Sequence, residues 1–240
     1  MNHQSKTSPT RAAFRAAFPK TVPVLAGFAF LGIAFGILFT SKGYHPLFAP
    51  LMSFVCFCGS MQYVAITLLT AAFDPLAALI LSITVNARHL FYGLSMLDTY
   101  HGMGKIKPLL IYLLCDESFS ILTDKLPEGV DKKTYCFAVS ILNYIYWGTA
   151  SLIGGLAGHF LTKLDGFDTT GFDFVLTALF VVIFIDGCRE KEKRIPAAIG
   201  VGCSILCLLI FGASDFIIPA MIAIGLALTV FMKVGERHDA

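Results

Sequence analysis

Long apolar runs, separated by short stretches rich in charge, proline or glycine, make up most of this 240-residue chain. An apolar run of about 20 residues is long enough to cross the ~30 Å hydrocarbon core of a bilayer as a helix. Lipid offers no water to satisfy open backbone groups, and the alternating pattern of barrel strands is absent, so the runs are expected to be helices. Eight segments are predicted, at 21–41, 47–72, 75–97, 108–124, 134–161, 172–188, 195–212 and 214–232.

The pattern therefore predicts an all-α protein, a polytopic membrane bundle of about eight transmembrane segments. A basic tail at 1–20 precedes a single transmembrane domain at 21–232, and a short tail at 233–240 follows it. With this arrangement, 13 of the 18 Lys and Arg residues lie on the side of the N-terminus, four lie on the other side, and Arg88 lies within a segment. Cytoplasmic loops carry an excess of Lys and Arg, so both termini are predicted to be cytoplasmic. A re-entrant hairpin in place of the last two segments would leave the termini on the same side.

Composition excludes several classes of protein. Hydrophobic residues make up 56% and charged residues 14% of the chain, against roughly 25% charged in soluble domains. A soluble enzyme, a nucleic-acid binder and a disordered protein are excluded, and a net charge of +2 does not indicate a polyanionic partner. Cys56 and Cys58, or Cys203 and Cys207, lack the further ligands that a structural zinc site needs. No metal, cofactor or enzymatic activity is expected, since the Gly-x-Ser-x-Gly elbow of serine hydrolases is also absent.

Polar and charged residues lie near the centres of four different segments. Ionisable groups at that depth cost at least ~2.5 kcal/mol on insertion scales and usually face a cavity or a partner. Unrelated groups would scatter in depth, so their clustering predicts a transport site. The residues are Ser60 and Gln62 in the second segment, Asn86, Arg88 and His89 in the third, Asp116 and Glu117 in the fourth, and Asn143 and Trp147 in the fifth.

Helical geometry limits which of these groups can meet. Asn86 and His89 share a helix face, whereas Arg88 points to nearly the opposite side, so either the helix is irregular there or Arg88 has a separate partner. Asp116 and Glu117 diverge by about 100°. Two interpretations of Arg88 stay open: a structural ion pair with one of these carboxylates, or a direct role with substrate or protons.

Other polar groups also have two interpretations. His89 is either a packing residue or a functional one, and Trp147 is either a packing residue or a pocket wall. The pair Gly59-Ser60 marks either a simple kink or a broken second helix.

Small and polar residues form a stripe along one face of the fifth segment. Its members, spaced by three or four, are Asn143, Trp147, Ser151, Gly154 and Gly158. Gly154 and Gly158 form a small-xxx-small pair, as Gly32 and Gly36 do in the first segment, and such pairs allow close approach of helices. Close packing, rather than ligand contact, is expected for these glycines.

The same central residues resemble the AzlC family, the large subunit of two-component branched-chain amino-acid exporters. Asn86-x-Arg88-His89 is the most specific part of the likeness. Met61 and Cys115 depart from it, since the family often has a small residue and Thr there. The stretches that carry the resemblance are 59–63, 85–93, 116–119, 143–148 and 172–180.

The resemblance implies a bacterial cytoplasmic-membrane protein that exports valine, leucine, isoleucine and also methionine, with a separately encoded, small hydrophobic AzlD-type subunit. A zwitterion with an apolar tail needs donors for its carboxylate, acceptors for its ammonium and an apolar wall. We expect substrate contacts from Ser60, Gln62, Asn86, Arg88, Asn143 and Trp147, and proton coupling through His89, Asp116 and Glu117. The alternative is a channel, or a membrane scaffold whose central polar cluster is structural.

Overall fold

A computed structural model describes residues 9–163 apart from 71 and 73, isolated positions between 171 and 188, and residues 191–238. The chain forms two compact units, Met1–Val175 and Leu176–Ala240. The sixth predicted segment, 172–188, lies largely outside the described residues, as does much of the 172–180 stretch of the family resemblance.

The prediction of an all-α fold is confirmed for the residues that the structure describes, which contain helices and no strand. Within the described part of the chain, three helical stretches are long and apolar enough to cross a membrane: Pro9–Ser41, Lys132–Leu161 and Arg194–Gly212. The first unit contains α1 Pro9–Ser41, α2 Phe48–Cys56, α3 Gly59–Thr70, α4 Pro75–Asn86, α5 Arg88–Ser95, α6 Lys107–Tyr112, α7 Asp116–Thr123 and α8 Lys132–Leu161. The second unit contains α9 Lys191–Asp215 and α10 Ile217–His238.

Among the described residues, the second, third and fourth predicted segments are interrupted. The second has its break at Phe57 and Cys58, directly before Gly59, so the broken-helix interpretation is confirmed. The third is interrupted at Ala87, which is the irregularity that was left open as one explanation for Arg88; the fourth, predicted as one segment, is interrupted between Tyr112 and Asp116. The count of eight crossings and the cytoplasmic position of both termini stay predictions.

Helix boundaries also differ at the ends of the chain. The first helix begins at Pro9, not at Thr21, so most of the predicted basic tail is helical. The last helix continues to His238, beyond the predicted end at 232. In the second unit, Gly212 interrupts α9 with a φ of +76°, a value that suits glycine because it has no Cβ.

Helix α8 begins at a well-defined cap. The Asp131 carboxylate accepts hydrogen bonds from the backbone N–H of Thr134 at 2.9 Å and from its hydroxyl at 2.6 Å. These bonds favour the ionised carboxylate and lower the pKa of Asp131. The cap satisfies a backbone donor at the start of the helix that carries the polar stripe.

Small residues bring the backbones of α1 and α8 into contact, so these glycines serve close packing, as expected. A Cβ added to Gly36 would overlap the backbone of Gly154 and Gly155, and one added to Gly154 would overlap the backbone of Ile33. Glycine is required because two helix backbones touch here, which lets the polar face of α8 lie against α1.

Gly36→Ala is expected to destabilise the protein, since the new methyl group has no space between the two backbones. Overpacking of a close contact costs about 1–3 kcal/mol. The melting temperature in detergent measures the effect. Gly27→Ala is the matched control, because a Cβ at Gly27 on the same helix meets nothing within 4 Å. Equal melting temperatures for the two variants would contradict the packing assignment.

Candidate transport site

The break between α2 and α3 sets the geometry of the site. Helix α2 ends at Cys56, and Phe57 takes a left-handed conformation with φ 39° and ψ 47°. Helix α3 then starts at Gly59, with the Gln62 N–H bonded to the Cys58 carbonyl at 2.9 Å. A helix end leaves carbonyl groups without intrahelical donors, and in lipid these need partners within the protein.

Two tyrosines supply those donors at the end of α2. The Tyr112 hydroxyl lies 2.6 Å from the Phe54 carbonyl oxygen and 2.8 Å from that of Val55. The Tyr144 hydroxyl donates to the Phe54 carbonyl at 2.7 Å. Sequence reasoning missed both residues; the one available signal was the position of Tyr144 next to Asn143. Together they tie the end of α2 to α6 and α8.

An ion pair joins the starts of three helices. Arg88 Nη1 lies 2.7 Å from Asp116 Oδ2, and Arg88 Nη2 donates to the Ser60 hydroxyl. Arg88 is the first residue of α5, Asp116 the first of α7, and Ser60 the second of α3. The side chains of Arg88 and Asp116 are 29% and 33% exposed, so the pair is only partly enclosed. We call Ser60, Arg88 and Asp116 the charged cluster.

Asn86 and His89 lie beside the charged cluster. The Cys58 thiol donates to Asn86 Oδ1 at 2.8 Å, and His89 Nδ1 lies 3.3 Å from the Asn86 carbonyl. The backbone bond from Leu90 to the Ala87 carbonyl spans three residues, so the helix is irregular here. Both conditions considered for Arg88 therefore hold: the helix is interrupted, and Arg88 has a partner on another helix.

Gln62 and Trp147 belong to a separate, fully enclosed network. The indole N–H of Trp147 donates to Gln62 Oε1 at 2.7 Å, and Gln62 Nε2 donates to the Ser53 hydroxyl at 2.8 Å. Ser53 donates to Ser151 at 2.7 Å, and Ser151 donates to the Trp147 carbonyl at 2.9 Å. Gln62, Ser53 and Ser151 are fully buried, and Trp147 is nearly so. We call these four residues the buried network; it links α2, α3 and α8.

The Trp147 ring also explains why α3 begins with glycine. A Cβ at Gly59 would lie 3.1 Å from the indole Cη2 atom, so a larger residue would displace the ring. Phe28 of α1 packs edge-on against the same ring at 5.2 Å. The packing and hydrogen-bonding roles of Trp147 are thus both present.

Asn143 lies one turn before Trp147 and contacts α7. Asn143 Nδ2 donates to the Ser118 hydroxyl at 3.0 Å, and Ser118 lies 3.2 Å from the Cys115 thiol. The Glu117 carboxylate lies beside Cys115. Asp116 and Glu117 therefore have different surroundings, as their angular separation predicted.

The predicted residues thus fall into three neighbouring groups. The charged cluster, with Asn86 and His89 beside it, is partly open. The buried network is closed. The third group, Asn143 and Glu117, lies at the start of α7. Chemically, the charged cluster presents a fixed cation and a fixed carboxylate within one hydrogen-bond length of each other. That arrangement suits a ligand carrying both charges, since a bidentate guanidinium binds carboxylates well and a carboxylate binds an ammonium.

The family model described as AzlC protein matches residues 23–161, which include every residue of these groups. The chain belongs to the AzlC family. Branched-chain amino acid transport protein AzlC of Bacillus subtilis (strain 168) is 50% identical over 238 residues, which cover 99% of this chain and 92% of that protein. Membership confirms the resemblance, and with the apolar helices it identifies a multi-pass membrane protein of a transporter family, not an enzyme.

Less similar relatives match over nearly the same length. An uncharacterized membrane protein of Helicobacter pylori (strain ATCC 700392 / 26695) is 39% identical over 92% of this chain and 96% of its own. Inner membrane protein YgaZ of Escherichia coli (strain K12) is 24% identical over 91% of this chain and 89% of its own. No solved structure matches the chain.

Trp147→Phe is expected to lower stability by about 1–3 kcal/mol, because Gln62 Oε1 loses its donor while still buried. Adding Gln62→Met should recover part of that loss, since the unsatisfied oxygen is then removed as well. Melting temperatures of the single and double variants in detergent measure the coupling. Strict additivity would show that the Gln62–Trp147 bond contributes nothing.

Proposed function

We propose that this protein exports branched-chain amino acids (valine, leucine and isoleucine) and also methionine across the bacterial cytoplasmic membrane. Export is coupled to protons and requires a small hydrophobic AzlD-type membrane subunit. The observation that carries the proposal is the Arg88–Asp116 pair, which is about one-third exposed and which, with Ser60, joins three helix starts. The name of the Bacillus subtilis relative supports the substrate class.

In this proposal the amino acid replaces the internal ion pair. Its carboxylate takes Arg88 and the Ser60 hydroxyl, and its ammonium takes Asp116 together with Asn86. Exchange of one pair of opposite charges for another leaves no buried charge alone, which avoids the several kcal/mol that an unpaired ion costs. Gln62 and Trp147 hold the start of α3 in position, and Asn143 holds the start of α7.

Proton coupling is assigned to the other titratable groups around the charged cluster. Glu117 lies beside Asp116 in sequence but contacts Cys115, so it can take or release a proton while Asp116 stays paired. His89 follows Arg88 and is the second candidate carrier. Eight crossings with both termini in the cytoplasm are the topology proposed for this cycle.

The first test removes the ion pair without leaving an unpaired charge. Arg88→Gln alone is expected to lower abundance, because Asp116 is left half-buried without its partner. Arg88→Gln with Asp116→Asn should restore abundance, yet reduce efflux of leucine from dipeptide-loaded cells by about 10-fold or more, since bonds to charged groups contribute ~1.5–3 kcal/mol each.

The exposed pair Lys20 and Asp124, 3.8 Å apart, provides the matched control. Lys20→Gln with Asp124→Asn should leave both abundance and efflux unchanged. Normal leucine efflux from the double variant at Arg88 and Asp116 would support the scaffold alternative and refute the assignment of substrate charges to this pair.

The second test concerns coupling. Glu117→Gln is expected to leave downhill export intact but to abolish its response to an imposed pH gradient in membrane vesicles, because the amide cannot exchange a proton. Glu128→Gln, at an exposed loop position, is the control. A Glu117→Gln protein that still follows the gradient would exclude Glu117, and wild-type flux that a pH gradient never drives uphill would indicate a channel.

A further inference from the structure

Two aromatic rings stack one turn beyond the ion pair. The rings of Tyr92 and Phe119 have centroids 4.5 Å apart and an interplanar angle of 19°. Tyr92 follows Arg88 by four residues on α5, so the two side chains share a helix face. Phe119 follows Asp116 by three residues on α7 and shares its face in the same way. The ion pair and the stack are therefore two successive contacts between the same two helices.

The hydrophobic core holds this stack on its other side. Both rings are partly buried and pack against a cluster of buried residues that includes Met96 and Leu122. Met96 follows Tyr92 by four residues, and Leu122 follows Phe119 by three. Along both helices a charged residue is thus followed by an aromatic and then by a buried aliphatic one. Contacts on two sides leave the Tyr92 ring one place to lie, which fixes the position of its hydroxyl.

The hydroxyl of Tyr92 belongs to the surroundings of the charged cluster. It interacts with the Asp116 carboxylate, and the charges of Arg88 and Glu117 also act on it. His89 packs edge-on against the same ring, with centroids 5.6 Å apart. Tyr92 therefore contacts the cluster, although the sequence pattern did not single it out.

The carboxylate of Asp116 has one oxygen to which a hydroxyl is suited. Oδ2 lies 2.7 Å from Arg88 Nη1, whereas Oδ1 is buried and accepts no hydrogen bond from the residues that the structure describes. When the substrate carboxylate takes Arg88, as proposed above, Oδ2 loses its donor as well. A buried carboxylate needs donors on both oxygens, and hydroxyl groups bind ionised acceptors strongly. The substrate ammonium supplies one donor, and the Tyr92 hydroxyl is placed to supply another.

We propose that Tyr92 is a positioning residue of the substrate site. Its hydroxyl donates to the Asp116 carboxylate when the substrate displaces Arg88, and the stack on Phe119 keeps the hydroxyl directed at that carboxylate. Because Tyr92 acts through Asp116, it strengthens recognition of the substrate ammonium and not of the substrate carboxylate. The inference rests on the proposed function and adds to it a residue that favours amino acids over acids without an amino group.

Tyr92→Phe is the decisive variant, since it removes the hydroxyl and keeps the ring on Phe119. Inside-out membrane vesicles that contain the full chain and its partner subunit report export as uptake of labelled leucine. The half-saturating leucine concentration should rise by about 10-fold or more, the factor expected when a hydrogen bond to a charged group is lost. The maximal rate and the abundance should stay unchanged.

An inhibitor separates the two charges of the substrate. Leucic acid carries a hydroxyl in place of the leucine ammonium and keeps the carboxylate and the side chain. Its inhibition constant against leucine uptake should be the same in the wild type and in Tyr92→Phe, because the hydroxyl of Tyr92 does not act on the carboxylate. If leucic acid inhibits neither protein, the half-saturating concentration of leucine decides alone.

Two further variants test the stack and the specificity of the change. Phe119→Leu keeps the Tyr92 hydroxyl but removes the ring that directs it, so it should raise the half-saturating concentration by a smaller factor. Tyr44→Phe is the matched control, because its hydroxyl donates to the Leu69 carbonyl at 2.9 Å at an exposed position outside the charged cluster. Uptake by Tyr44→Phe should equal that of the wild type, and wild-type half-saturation in Phe119→Leu would overturn the role of the stack.

The outcomes separate this inference from the proposed function. If wild-type vesicles accumulate leucine and Tyr92→Phe has the same half-saturating concentration, the inference is overturned alone. A lower maximal rate without a change in half-saturation, or an equal weakening for leucine and leucic acid, shows a structural role for Tyr92 and overturns it too. If wild-type vesicles with the partner subunit accumulate no leucine, the proposed function fails, and the inference fails with it.

Discussion

The ion pair between Arg88 and Asp116 is the interaction on which the candidate site depends. Two opposite charges within a membrane protein are tolerable only together, because removal of either partner leaves an ion without compensation. Their pairing brings α5 and α7 to one place, and the bond from Arg88 to Ser60 adds α3. Three interrupted segments thereby place their polar helix starts around a single point, which a continuous bundle would keep apart.

Such interruptions are stable only if the freed backbone groups find partners, since lipid offers none. At the end of α2 these partners are the hydroxyls of Tyr112 and Tyr144, which come from α6 and α8. The break is thus a property of several elements together. The same tyrosines link the end of α2 to the helix before Asp116 and to the long helix α8.

Around this point the protein combines a close-packed frame with a more open region. Helices α1 and α8 touch through glycines, and the buried network of Gln62 and Trp147 fixes the start of α3 against them. The charged cluster is less enclosed. A carrier needs this combination, because binding must be specific while the charged groups still exchange partners with a substrate.

Hydrophobic segment length and small-residue spacing were sufficient to predict helices and close packing at the glycines of α1 and α8. They left open whether Gly59-Ser60 breaks the second helix and whether the third is irregular at Arg88. The same features did not predict which side chains pair with each other. They did not show that Asp116, rather than Glu117, binds Arg88, or that Gln62 binds Trp147. Local patterns describe which face of its own helix a residue occupies, whereas such pairs join residues 28 to 85 positions apart. Interruption of the third and fourth segments depends on bonds from other helices, so only the folded chain decides it.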